Sequence, residues 1–206
     1  MNIEILKESW QEMIQENPLT ANPSVLTLAE LFGLSNLPHG LRVQLGNRFE
    51  KFINQLLKKH KKVTSFKDDS SNLWINTETN EVIVDGNGEG MKDIDTLFII
   101  DGTTYYLEEK TNLKLDTEKS TKTIEKVKTI TDCLKNNENY PNVIGRVLSC
   151  FWDETNVPIS SGMKTSGLVM YFSEFNDILD LGLTKSKWED ICKEFGEMCV
   201  KNETDI

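Results

Sequence analysis

The stretch from Lys92 to Lys110 constrains this chain more than any other. Lys92-Asp93-Ile94-Asp95-Thr96-Leu97-Phe98-Ile99-Ile100 and Tyr105-Tyr106-Leu107-Glu108-Glu109-Lys110 are two β-rich runs separated by Asp101-Gly102-Thr103-Thr104. A glycine-containing connection of that length predicts a β-hairpin. Side chains alternate across a strand, so Asp93 and Asp95 share one face, and Tyr106, Glu108 and Lys110 share another. Leu107 and Glu109 point the opposite way. If the register sets the two faces together, Asp95, Glu108 and Lys110 converge. Two carboxylates beside an amine can hold a hard divalent cation through oxygen and position a water.

The flanking chain supplies helices and more strands. Leu41 to about Lys62 is the longest helical pattern, with Leu45, Phe49, Phe52, Ile53 and Leu56 as its apolar stripe and Glu50 at the border. Glu50 is either a solvated flank carboxylate or a group pointing towards the hairpin. Residues 73–76 and 81–84 read as a further hairpin. The glycine-rich Asp85–Gly90 lacks a phosphate-loop pattern and precedes a strand, so it is a plain loop. Asp116 or Thr117 caps a helix to about Leu134, with Ile124, Val127, Ile130 and Leu134 buried. Val143–Trp152 and Leu168–Phe172 read as buried strands, Pro158–Gly167 as a polar loop, and Phe175–Leu181 and Lys187–Val200 as helices, the latter capped by Thr184. Ahead of all this, residues 1–17 and 25–32 read as two short helices.

Two hundred and six residues suit one domain with one substantial core. The reading is an α/β domain: a mixed sheet with helices on both faces, residues 1–40 forming a helical cap or dimerisation arm, 41–172 the core, and 173–206 C-terminal helices. No apolar run approaches the ~20 residues of a membrane span. The N-terminus lacks a signal-peptide layout. Cys133, Cys150, Cys192 and Cys199 form no CxxC pair, which fits buried thiols in a reducing cytoplasm. With His39 and His60 as the only histidines, a histidine-based metal site or catalytic pair is disfavoured. Trp10, Trp74, Trp152 and Trp188 fall mostly on apolar faces.

The net charge of −10 runs against a nucleic-acid partner, but it is unevenly spread. Residues 58–62 read Lys-Lys-His-Lys-Lys, and six lysines lie between Lys110 and Lys128. Nine carboxylates face four lysines between Glu174 and Asp205. That distribution leaves room for a basic face on an acidic body.

Asp95, twelve residues, then Glu108-Glu109-Lys110 resembles the PD-(D/E)xK nuclease superfamily, and in particular the type II restriction endonucleases. By residues the resemblance covers only the hairpin; by element order it extends over about 41–172, with Ile-Asp in place of the family's Pro-Asp. It implies a restriction-endonuclease-like fold and Mg²⁺-dependent cleavage of double-stranded DNA, with Mn²⁺ as a substitute ion. Asp95 and Glu108 would be the carboxylate ligands, with the main-chain carbonyl of Glu109 near the same ion. Asp93 stands as the alternative to Asp95. Lys110 would orient or help to deprotonate the attacking water, and Glu50 is similar to the extra helical glutamate of some members. Lys114 and Lys119 are candidate DNA contacts, as are Asn156, Ser160, Ser161 and Lys164 in the loop 153–166, whose polar groups could reach base edges. A homodimer would match a palindromic site. The rivals are a structure-specific repair or junction-resolving nuclease of the same superfamily and a non-catalytic DNA-binding module.

Overall fold

The computed structural model describes residues 39–67, 72–86, 88–111, 113–155 and 157–192, with side chains from Phe49 onward. The expected helices over 1–17 and 25–32, the side chain of Leu45, the tail beyond 192, Cys199 and Asn156 lie outside the described residues.

The frame is a five-stranded mixed sheet in the order β1-β5-β6-β7-β8. Its strands are β1 (Thr64–Ser65), β5 (Thr96–Ile100), β6 (Thr103–Lys110), β7 (Ile144–Ser149) and β8 (Val169–Met170). β5 pairs antiparallel with β1 and β6, whereas β6, β7 and β8 run parallel. A separate three-stranded antiparallel sheet, β3-β2-β4, is built from β2 (Leu73–Asn76), β3 (Val82–Val84) and β4 (Met91–Ile94).

Alternation along β5 and β6 divides the core. Phe98, Ile100 and Leu107 face α1 (His39–Lys59), which contributes Phe49, Phe52, Ile53, Leu56 and Leu57 to one cluster. Leu97 and Tyr106 face α2 (Thr117–Lys135), whose Val127, Ile130 and Leu134 pack in the other cluster with Leu73, Ile75 and Ile94 of the small sheet. Helices on both faces of a mixed sheet satisfy both apolar faces of strands this buried. Asp116 caps α2 by accepting the Lys119 N–H at 2.8 Å. On the α1 side the core is closed by α4 (Phe172–Ile178) and the helical segment 185–192. There the Trp188 ring stacks on Phe172 at 3.5 Å and its Nε1–H donates to the Cys150 carbonyl at 2.9 Å. The tryptophan is core, as its apolar setting predicts. Cys133, Cys150 and Cys192 are buried free thiols.

Several boundaries differ from the sequence reading for physical reasons. The run 92–100 is two strands, not one. β4 pairs with β2 in the small sheet, β5 belongs to the central sheet, and Asp95 is the break between them. The turn of the hairpin is Asp101-Gly102 alone, both residues having positive φ (48° and 74°), as a tight turn matched to the strand twist requires. Pro158–Gly167 contains a short helix, α3 (Ser161–Thr165), pinned to α2 by a 2.7 Å hydrogen bond between the Ser160 and Ser120 hydroxyls. β8 is only two residues long, and α4 begins at Phe172, earlier than the periodicity indicates. Thr184 caps the last described helical segment, its hydroxyl accepting the Lys187 N–H at 3.4 Å. Among the described residues no helix is long and apolar enough to cross a membrane.

Candidate active site

Strand register places the acidic residues. Thr96 pairs with Leu107 at the end of the antiparallel ladder, and Asp95 and Glu108 are the next residues along the two chains. Leu97 and Tyr106 face α2; by alternation Asp95, Glu108 and Lys110 face it too. The three residues picked out from the sequence therefore meet on one face, at the end of the hairpin away from its turn. The Lys110 ammonium lies 2.7 Å from Glu108 Oε1. The Glu109 N–H donates to Asp95 Oδ2 at 3.1 Å and holds that carboxylate against the strand. In an extended residue N–H and C=O point to the same neighbouring strand, so the Glu109 carbonyl is directed along the same edge.

A group from α2 completes the cluster. The Lys126 ammonium sits among three carboxylates: 2.6 Å from Glu108 Oε2, 3.0 Å from Asp93 Oδ2 and 3.4 Å from Asp95 Oδ1. The Tyr106 hydroxyl also donates to Glu108 Oε2, at 3.0 Å. Asp93 and Asp95, the two alternative first ligands, thus both reach the same point. Asp93 is the exposed one at 59%, against 13% for Asp95.

Electrostatics separate the carboxylates. Burial and then repulsion from Glu108 push the Asp95 carboxyl up to about 7, against the pull of Lys126 and Lys110. Burial also works against the charged form of Glu108, but Lys110 and Lys126 outweigh it and hold Glu108 below its ordinary value. Lys110 is desolvated as well, yet Glu108 and Asp95 raise it, so it stays an ammonium. Its role in this state is electrostatic, not that of a base.

The opposite face of β6 carries a second acid, Glu109, turned towards α1. Both of its oxygens are buried without a hydrogen-bond partner. The nearby Thr96 hydroxyl donates instead to Asn54 Oδ1, at 3.0 Å. Burial first, then repulsion from Asp95 and Glu50, lift the Glu109 carboxyl well above its ordinary value, which favours its neutral form in this setting. Glu50 does lie on this side of the site, ion-paired to Lys67. Lys67 also donates to the Asp95 carbonyl at 3.0 Å and to the Ile94 carbonyl at 3.4 Å. Asn54, one turn after Glu50, donates to the Asp95 carbonyl at 3.2 Å. The break at Asp95 is therefore held by two groups from outside the hairpin.

Sequence reasoning missed Lys126, Lys67 and Asn54. Only Asn54 left a local signal: with Gln55 it interrupts the apolar run from Phe52 to Leu57. The candidate DNA contacts form a second group. Leu113 bridges Ile159, and the Ser160 N–H donates to the Leu113 carbonyl at 3.0 Å, which joins the segment after Lys110 to the segment before α3. Lys114, Lys119, Ser161 and Lys164 are exposed there. The Ser160 hydroxyl is engaged with Ser120, and Lys119 is paired with its capping partner Asp116 at 3.4 Å.

As placed, no three acidic, histidine or cysteine side chains among the described residues stand close enough to share a metal ion. The donor set nonetheless suits a hard cation: Asp95 and Glu108 are oxygen donors that already share a positive charge, spaced by the bulk of an ammonium. No protein-family model matches the chain, and no curated protein matches its sequence.

Proposed function

We propose that this protein is a Mg²⁺-dependent DNA endonuclease of the PD-(D/E)xK superfamily with a restriction-endonuclease-like fold, acting as a type II restriction enzyme on double-stranded DNA. One observation carries the reading. Asp95 and Glu108 lie just beyond the last pair of the ladder, Thr96–Leu107, with their carboxylates on one shared ammonium, and Lys110 sets its own ammonium 2.7 Å from the Glu108 carboxylate. Support comes from the element order, in which an antiparallel hairpin bearing the acids is followed by a helix and a parallel strand.

Asp95 and Glu108 would hold Mg²⁺, or Mn²⁺ in its place, with the Glu109 carbonyl on the same edge. Bound there, the ion supplies a Lewis acid for the scissile phosphate. The Lys110 ammonium would stabilise the negative charge that grows on the phosphate oxygens and orient the attacking water beside Glu108. Asn54 and Lys67 hold the Asp95 main chain and the Glu109 N–H holds its carboxylate, so the backbone at the break is fixed before substrate arrives. Lys114, Lys119 and Lys164 would meet the DNA backbone and Ser161 a base edge, with Asn156 in the adjoining segment. A homodimer would direct one such site at each strand of a palindrome.

The test is incubation of the purified chain with phage DNA and Mg²⁺, with and without EDTA. Discrete fragments that vanish with EDTA are expected. A featureless smear would favour the repair-type or junction-resolving nuclease, and intact DNA under both Mg²⁺ and Mn²⁺ would leave a non-catalytic DNA-binding module.

A further inference from the structure

We propose that Lys126 is a displaceable resident cation: its ammonium fills the divalent-ion position between Asp95 and Glu108 until the ion enters, and then turns to the DNA phosphate. The inference rests on the metal-dependent reading above.

The geometry argues for exchange, not for a permanent strut. Three carboxylate oxygens surround the Lys126 Nζ at 2.6, 3.0 and 3.4 Å, and they come from two sheets and a strand break, not from one element. Mg²⁺ takes oxygen ligands at roughly 2.0–2.1 Å, so the same oxygens must close in by roughly 0.5–1.4 Å once the ammonium leaves. Two cations cannot share the position, so entry of one expels the other.

Lys126 is built to leave. It projects from α2 on a flexible four-carbon stem, and its side chain is 17% exposed, which gives it a path to solvent. Glu108 keeps its second partner, Lys110, when Lys126 departs. A released ammonium on this helix remains beside the site. There it lies one turn from Lys122 and two from Lys119, both largely exposed at 71% and 72%. Lys119, Lys122 and Lys126 are spaced i, i+3 and i+7, so they line one face of α2 and form a track suited to a phosphate backbone.

The test reads metal binding, not cleavage. Mn²⁺ affinity is measured by calorimetry on the wild-type chain, on Lys126→Met, and on Lys128→Met as a control that removes an exposed lysine of the same helix off the track. Lys126→Met is expected to bind Mn²⁺ at least tenfold more tightly than wild type, with Lys128→Met unchanged. Duplex binding in Ca²⁺ should weaken in Lys126→Met. If Lys126→Met binds Mn²⁺ no better than wild type, or neither binds it, the proposal is overturned. Because Lys126→Met leaves three carboxylates facing one another, a second measurement uses the wild-type chain alone. The Lys126 side-chain NMR signal, assigned through Lys126→Arg, should move to the position of a solvated lysine as Mg²⁺ is added; an unmoved signal at saturation overturns the proposal. Competition between Lys126 and Mn²⁺ in a chain that cuts no DNA would retire the nuclease reading while sustaining this one; cutting without competition would do the reverse.

Discussion

Lys126 and Glu108 are joined at 2.6 Å across the space between α2 and β6, with the glutamate side chain only 6% exposed. An exposed pair on the same helix, Lys122–Glu118, is just as short at 2.6 Å but lies in solvent. The exposed pair is worth about 0.5 kcal/mol or less. The buried one matters through what its loss would strand. Glu108→Ala leaves Lys110, Lys126 and the Tyr106 hydroxyl without their shared acceptor, and we expect a loss of about 2–4 kcal/mol in metal-free denaturation. Glu118→Ala serves as the reference and should fall within ~0.5 kcal/mol of wild type.

The raised carboxyl of Asp95 predicts a pH dependence in EDTA. Unfolded, it titrates near 3.9; folded, at about 7. Between these values the native state binds more protons than the unfolded one, so stability falls as pH rises from about 4 to 7 and levels off above. Glu109, shifted in the same direction, adds to the slope. Asp95→Asn should remove part of it, gaining on the order of 2 kcal/mol over wild type at pH 8 with little difference at pH 4. Parallel profiles for the two chains would show that the Asp95 carboxyl is not raised.

Asn54 is a positioning residue. Its amide joins the carbonyls of Glu50 at 2.9 Å and Asp95 at 3.2 Å, and its oxygen accepts the Thr96 hydroxyl at 3.0 Å. Asn54→Leu strands these buried groups and should cost about 1–3 kcal/mol. Because the chain changes sheets at Asp95, the same substitution should lower the cleavage rate at saturating Mg²⁺ by roughly tenfold or more, as a misplaced ligand does.

Where β7 passes beneath α2, Gly145 leaves no room for a side chain, and a Cβ there would overlap Thr131 Oγ1. Gly145→Ala should destabilise by about 1–3 kcal/mol. Thr131→Ala in the same chain should restore part of that loss. Additive effects in the double variant would mean that the crowding lies elsewhere.

What the sequence made legible follows from the range of the forces involved. The face shared by Asp95, Glu108 and Lys110 depends on a period of two and on a hairpin that Asp101-Gly102 favours locally, so local reading was enough. The capping of α2 by Asp116 and of the last helical segment by Thr184 is local in the same way. The break at Asp95 was hidden because the apolar alternation continues through it and only the pairing with β2 divides the run. Lys126 and Lys67 were out of reach for another reason. Each lies on a separate element, and nothing beside Lys126 in α2 distinguishes it from Lys122 or Lys128 until the helix is docked on the sheet. Glu109 was placed on the opposite face, but its complete burial against α1 depends on tertiary packing.

The central claim is that Lys110 acts on the reacting phosphate. The most direct measurement is the single-turnover rate of Mg²⁺-dependent cleavage by Lys110→Ala on a duplex that the wild-type chain cuts, with thermal unfolding followed in parallel. Glu108 keeps Lys126 and Tyr106 in that variant, so its melting temperature should stay close to wild type. The rate should fall by about 100-fold or more. A folded Lys110→Ala chain that cuts at the wild-type rate would contradict the account.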